Sequence, residues 1–258
     1  MDIDLIKKRL SQLQKTTSTS ENFWKPQPGK TQIRIVPYKF NKDNPFIELY
    51  FHYNLGDNRT YISPVSFGRP DPVKEFSDKL KSSGNREEWI QGKKLEPKMR
   101  TFVPVVVRSQ EKDGVKFWGF GKTVYQELLG FIADPDYGDL TDPVTGRDIV
   151  VDKQTPAEAG NQFGKTSIRV KPNPVPITEN AEALKKIFET QVDLTELYNE
   201  PTYEHLKETL ENYLNPSEAE DEDASDETSS ESKSNSTANI EDAFDSLIDC
   251  INKKDRCG

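Results

Sequence analysis

The sequence has 258 residues, 33% hydrophobic and 31% charged, which fits one domain of ordinary size with polar additions, or two small domains. Its net charge of −9 comes from residues 216–258, with 13 acids against 4 bases; residues 1–172 hold 28 bases against 22 acids, and residues 173–215 only 3 against 9. The composition excludes a bilayer-crossing helix, a signal peptide in MDIDLIKKRL, and a disulfide-stapled core, because Cys250 and Cys257 are the only cysteines.

Residues 2–15 are predicted as a helix. Ile3, Ile6, Leu10 and Leu13 recur at helical spacing, Asp2 stands at the start as a cap, and Lys7, Lys8 and Arg9 make a basic patch. TTSTSEN follows as a polar linker. Strands are predicted in TQIRIVPY (31–38), PFIELYFHYNL (45–55) and TYISPV (60–65), then a short helix in PVKEFSDKLKSSG between Pro72 and Gly84. RTFVPVVVRSQ and VKFWGF are two further strands, separated by the turn signal EKDG. TVYQELLGFIA is predicted helical, with Val124, Leu128 and Phe131 or Ile132 on one face, and DPDYGDLTDPVTG is a loop rich in turn formers. GRDIVVD and KTSIRVK complete the strands; LKKIFETQVDLTELY and TYEHLKETLENYL complete the helices. Beyond Pro216 the chain is acidic, Ser-rich and free of aromatics until IEDAFDSLIDCI, so disorder is expected there. The whole predicts a mainly β, α+β fold: a small closed or partly open barrel with added helices and a disordered acidic C-terminal tail.

The stretch KFWGFGKTVYQELL, residues 116–129, crowds four aromatics around Lys116 and Lys122 with Gly119 and Gly121 between them. GKT also ends a phosphate-binding loop, but that loop needs a glycine where Lys116 stands, and the second FGKT at 163–166 has Ala159 in that place. A strand points alternate residues to opposite faces. If one face is core, the other exposes Lys116, Trp118, Phe120 and Lys122, and the preceding strand offers Lys98, Arg100 and Phe102 at even positions. Rings that stack on any base, beside cations that neutralise phosphates, are what a single-strand groove requires. Stacking is therefore preferred to a pure core strand.

The other polar constellations point to no enzyme. Asp134, Asp136, Asp139 and Asp142 lack the glycine and glutamate spacing of a calcium loop, and Thr145 stands at its twelfth position. His52 and His205 have no cysteine near them and no nucleophile motif.

With those residues in view, the sequence resembles the T4-type bacteriophage single-stranded DNA-binding proteins. KKRLS (7–11), TQIRIVPYKFNKDNPFIELYFHY, GVKFWGFGKTVYQELL and QVDLTELYNEPTYEHLKETLENYL are similar to that family's segments in the same order. The resemblance implies an OB-fold core over 21–215 with a basic cleft and an inserted subdomain near 60–95. It implies an N-terminal arm, residues 1–20, for cooperative self-association along DNA, and an acidic tail, residues 216–258, that competes with DNA. Through that tail it implies docking of phage replication proteins such as the polymerase, helicase loader and recombination mediator, with no membrane partner, in the host cytoplasm at phage replication sites. It also brings a zinc ion held by one histidine and three cysteines. His52 matches the histidine, but YISPVSFGRPDPVKEF has no cysteine, so no cofactor or metal is expected and packing by Phe67, Phe76 and Leu80 must hold the subdomain.

The DNA contacts chosen on this reading are Arg34, Tyr53, Arg59, Lys98, Arg100, Phe102, Trp118, Phe120, Lys122 and Tyr125. Lys7, Lys8 and Arg9 are chosen for self-association. Ile240, Phe244, Leu247 and Ile248, at helical spacing among acids, are chosen as a motif that folds on a partner. Two rivals stay open: an RNA-binding regulator, since stacking and phosphate contacts do not separate the sugars, and an acidic scaffold that binds only proteins.

Overall fold

The computed structural model describes residues 21–53, 55–56, 59–162 and 164–215. The predicted N-terminal helix, the self-association residues Lys7, Lys8 and Arg9, and the tail residues Ile240, Phe244, Leu247 and Ile248 lie outside them. The chain forms two compact units. One takes the described residues up to Leu49 together with Met99–Tyr198; the other takes Tyr50–Lys98 and the described residues from Asn199 onward. Among the described residues, no helix is long and apolar enough to cross a membrane.

The first unit is built on strands β1 (Phe23–Trp24), β2 (Gly29–Ile35), β5 (Lys98–Val107), β6 (Lys116–Phe120), β7 (Arg147–Gln154) and β8 (Lys165–Pro174). Their order is β1-β6-β5-β2-β7-β8, antiparallel except for β1 beside β6. The expected barrel is corrected here: no pairing among the described strands closes the sheet, which stays open. Its ends explain this. β1 is two residues long, and β8 carries Pro172 and Pro174, whose missing N–H groups suit an edge and could not complete a further ladder.

Ile33, Ile35, Val103, Val105, Val107, Ile149 and Val151 alternate along β2, β5 and β7 into one core cluster. Helix α3 (Lys122–Ala133) closes it with Val124 and Leu128. The intervening residues of β2 and β5 face the other way. There Val36 and Val106 meet Ile177, with Leu184, Ile187 and Phe188 of α5 (Ala181–Glu189) packed against them. β5 is thus buried on both faces, which is why its sequence is a near-continuous apolar run rather than an alternation.

β3 (Ile47–Tyr53) carries the chain into the second unit, where Phe51, His52 and Tyr53 pair with Ile62, Tyr61 and Thr60 of β4 (Thr60–Ile62). Helices α1 (Pro72–Ser82), α2 (Arg86–Leu95) and α6 (Tyr203–Leu214) complete it. Leu55, Val73, Phe76, Leu80, Leu95, Leu206 and Leu210 are its core. Phe76 and Leu80 take the places expected of them, whereas Phe67 is only half-buried, with the Arg69 guanidinium 5.4 Å from its ring. Asp71 caps α1 by accepting from Val73 N and Lys74 N, with Pro72 in the first turn, where it has no N–H to lose. α1 and α2 meet at Gly92, where a Cβ would stand 2.7 Å from the Ser77 carbonyl oxygen.

Four elements differ from the sequence reading. α2, β1 and the four-residue helix α4 (Pro156–Ala159) were not expected. The single helix expected over 184–198 ends at Glu189, and a 3-10 turn covers Thr195–Leu197. Between them the Gln191 side chain bonds Lys39 N and Pro37 O, and Asp193 Oδ1 accepts from Thr195 N, so side-chain bonds hold this non-helical stretch.

Candidate nucleic-acid interface

The β5–β6 register decides where the aromatic strand points. Phe102 lies opposite Gly119, Val103 opposite Trp118 and Pro104 opposite Phe117. Residues directly opposite share a face, so even positions of β5 lie with odd positions of β6. Phe102 and Trp118 are therefore on opposite faces, and no single face carries both. Trp118 and Phe120, 1% and 4% exposed, point into the core beside Trp24, whose ring centroid is 5.8 Å from that of Trp118. Their assignment as base-stacking residues is corrected: neither ring has a surface for a base.

The other face is an aromatic cluster. Phe102 is buried against Phe23 and Tyr198, at centroid distances of 5.9 and 6.2 Å, and Phe117 lies edge-on to Tyr38 at 6.0 Å. A Cβ on Gly119 would come within 2.7 Å of the Phe102 ring, so this glycine is the space that the ring occupies. Phe102 too is corrected from DNA contact to core. After Phe120, Gly121 alone separates the strand from α3, and so short a connection leaves no loop to wrap a phosphate chain.

Arg34 is corrected as well. Its side chain is fully buried; Nη1 lies 3.5 Å from Asp148 Oδ1, and Nη2 donates to the Asp142 carbonyl at 2.6 Å. Arg108 holds the same carboxylate at both oxygens, through Nε at 2.9 Å and Nη2 at 2.8 Å, and Gln32 donates to it at 2.6 Å. Burial pushes the Arg34 guanidinium below its ordinary value, against the pull of Asp148. A cation held inside this way is a structural group that no phosphate reaches.

The remaining choices are accessible to different degrees. In the first unit Arg100 and Lys122 are exposed, Arg100 Nη2 donating to the Gly119 carbonyl at 3.3 Å. Tyr125 is half-buried and donates to Glu48 at 2.9 Å; burial and then that carboxylate push its hydroxyl up to about 12. In the second unit Arg59 and Lys98 are exposed and Tyr53 is partly so. Arg59 borders a cleft of about 490 Å³ with Tyr61, His205 and Tyr213. Lys98 donates to the Lys93 carbonyl at 2.9 Å.

Sequence reasoning passed over two exposed aromatics, each beside cations. Phe40 lies with the Lys39 ammonium 5.4 Å from its ring, and Trp89 with Lys93 at 5.8 Å. The available signal was the pairing of each ring with nearby lysines, in YKF and in WIQGKK, outside any pattern that would bury it.

His52 is buried. Its Nε2 lies 2.8 Å from Asp71 Oδ2, its Nδ1 lies 3.2 Å from the Leu95 carbonyl, and Ser63 Oγ donates to the same Asp71 oxygen. Burial alone would raise the Asp71 carboxyl, but hydrogen bonds from His52, Ser63 and Lys74 N hold it below its ordinary value. The set brings together one imidazole and one carboxylate, two of the four donors that a structural zinc site takes. One imidazole here faces a carboxylate whose oxygens are already shared with a hydroxyl and two amides.

Exposed cations next to accessible rings, in both units, are the equipment of a nucleic-acid-binding protein. Residues 27–216, nearly three quarters of the chain, match the family described as gp32 DNA binding protein like, and the chain belongs to that family. No match was found among curated proteins.

Proposed function

We propose that this protein binds single-stranded DNA without sequence preference and coats it during phage DNA replication, recombination and repair. The match of residues 27–216 to a DNA-binding family carries the reading. The exposed cations Arg59, Lys98, Arg100 and Lys122 support it, since each phosphate that such a group neutralises releases a condensed counterion and makes affinity fall with salt. Rings with open surface, Tyr53 and Phe40 among them, supply stacking that accepts any base.

On this reading Lys7, Lys8 and Arg9 join neighbours along the strand. The tail, with 13 acids in residues 216–258, is tethered to its own basic body and competes with DNA at high effective concentration. Ile240, Phe244, Leu247 and Ile248 within it dock replication proteins. The work is done at phage replication sites in the host cytoplasm, with no catalytic step and no metal.

The test is the anisotropy of labelled oligo(dT) across a salt series, with the full chain and with the chain ended at Asn215, and oligo(rU) as competitor. The shortened chain is expected to bind more tightly, with the gap closing as salt rises and oligo(dT) preferred. Absence of binding by both at low salt overturns the proposal, and preference for oligo(rU) replaces it with the RNA reading.

A further inference from the structure

Helix α2 presents to water the wrong kind of stripe for a surface helix. Arg86, Trp89, Ile90, Lys93 and Lys94 stand at positions i, i+3, i+4, i+7 and i+8, which is one helix face, and all five are exposed. The inward side carries Gly92 and Leu95 instead, Gly92 being pressed against α1. The most regular pattern on the helix thus faces outward. It holds an indole 47% exposed and an isoleucine 42% exposed, framed by three cations with no acid among the five. Tryptophan is among the most buried side chains on average, and this one stands outside the core cluster that α1, α2 and α6 share. One acid, Glu87, borders this face, three positions before Ile90 and seven before Lys94, and Glu96 beyond the helix takes Lys93 Nζ at 2.7 Å and Lys81 Nζ at 2.9 Å.

From this we infer that the outer face of α2 is a base-stacking platform for single-stranded DNA, with Trp89 as its ring. The inference rests on the proposed function and names a contact that the aromatic strand was expected to supply. Charge selects the occupant. Arg86 and Lys93 are two turns apart, about 10.5 Å along the axis, one to each side of Trp89, so a base on the indole has a phosphate partner in either direction along its strand. Lys94 and Lys98 extend the cationic side. The indole also reports on its own occupancy. Of the three tryptophans, Trp24 and Trp118 are 9% and 1% exposed, so quenching by a stacked base comes from Trp89.

The experiment uses the full chain and labelled oligo(dT), following anisotropy and tryptophan emission together. Wild type is expected to bind with quenching. Trp89→Phe is expected to keep affinity within about threefold while losing the quenching. Trp89→Ala is expected to lose about 5- to 150-fold in affinity with an unchanged salt slope. Lys93→Ala with Lys94→Ala is expected to lower that slope by about 1.4. Because the indole is about half covered, Trp89→Phe should melt with wild type, and melting of Trp89→Ala measured beside its affinity separates lost stacking from lost folding. If Trp89→Ala binds as tightly as wild type and quenching persists in it, the platform is overturned while the proposed function stands. If wild type does not bind, both fall. If oligo(dT) leaves the emission unchanged but removing residues 216–258 shifts it, the acidic tail is the occupant and DNA is not.

Discussion

Two stretches of this chain mix aromatics with lysines, and they have opposite fates. KFWGFGK lies on β6, with core on one face and the Phe23–Phe102–Tyr198 cluster on the other, so its density of rings is spent on packing. REEWIQGKK, on α2, holds a single ring and shows it to water. Aromatic density is thus a signal of burial, because a strand with large apolar side chains at every position is stable only between two covering layers. The lone ring on α2, at helical spacing with cations, is the one on which the proposed platform rests.

Breaking the buried member of the pair should have the largest effect. Trp118→Ala removes a ring packed at 4.6 Å from Phe120 and 5.8 Å from Trp24, and should cost about 3–5 kcal/mol in a urea titration. Binding lost by this variant should return under conditions that restore its fold, as a stacking residue would not allow.

Next comes the hub of the second unit. Asp71→Asn should cost about 1–3 kcal/mol at neutral pH, since an amide cannot serve both His52 and Ser63 as the carboxylate oxygen does in this buried site, while its own oxygen can still cap α1. The sign of its pH dependence follows from the depressed Asp71 carboxyl. The wild-type advantage is fully present above the ordinary aspartate range and is lost as pH falls through the lowered value. Urea midpoints of both proteins should therefore converge in acid; divergence would show that the carboxylate is not what stabilises the hub.

Gly119→Ala sharpens the comparison from the other face. Its methyl group meets the Phe102 ring, and an overpacked core of this kind loses about 1–3 kcal/mol, again by urea midpoint. The smallest effect on stability belongs to the exposed cations. Lys122→Ala and Arg100→Gln should each stay within about 0.5 kcal/mol of wild type while lowering the oligo(dT) salt slope by about 1. An unaltered slope would remove that residue from the interface.

How far the sequence reached can be judged residue by residue. β2, β3, β5, β6 and α1 were legible because apolar alternation, Pro72 and Gly84 are local signals. Closure of the sheet was not, since it depends on which strands pair across long stretches of chain. Alternation within β6 is legible, but not which face is core: Trp118 and Phe120 point inward, and the parity reverses on β5, where Val103, not Phe102, lies opposite Trp118. Arg34 looked like a phosphate ligand because its counter-ion, Asp148, is 114 positions away. α2 escaped notice because its regular stripe mixes charged and apolar residues. The same mixture is what makes it a surface to test.

One feature of the second unit bears on how the chain comes off the ribosome. Leu206 and Leu210 pack into the same cluster as Val73, Phe76 and Leu80, so one wall of that cluster is made more than a hundred residues after the other. At about 5–20 residues per second, the nascent helix α1 waits roughly 6–25 s with its apolar side uncovered. Translation speed between the two segments therefore sets how long a sticky, half-built unit is open to chaperones and to neighbouring nascent chains.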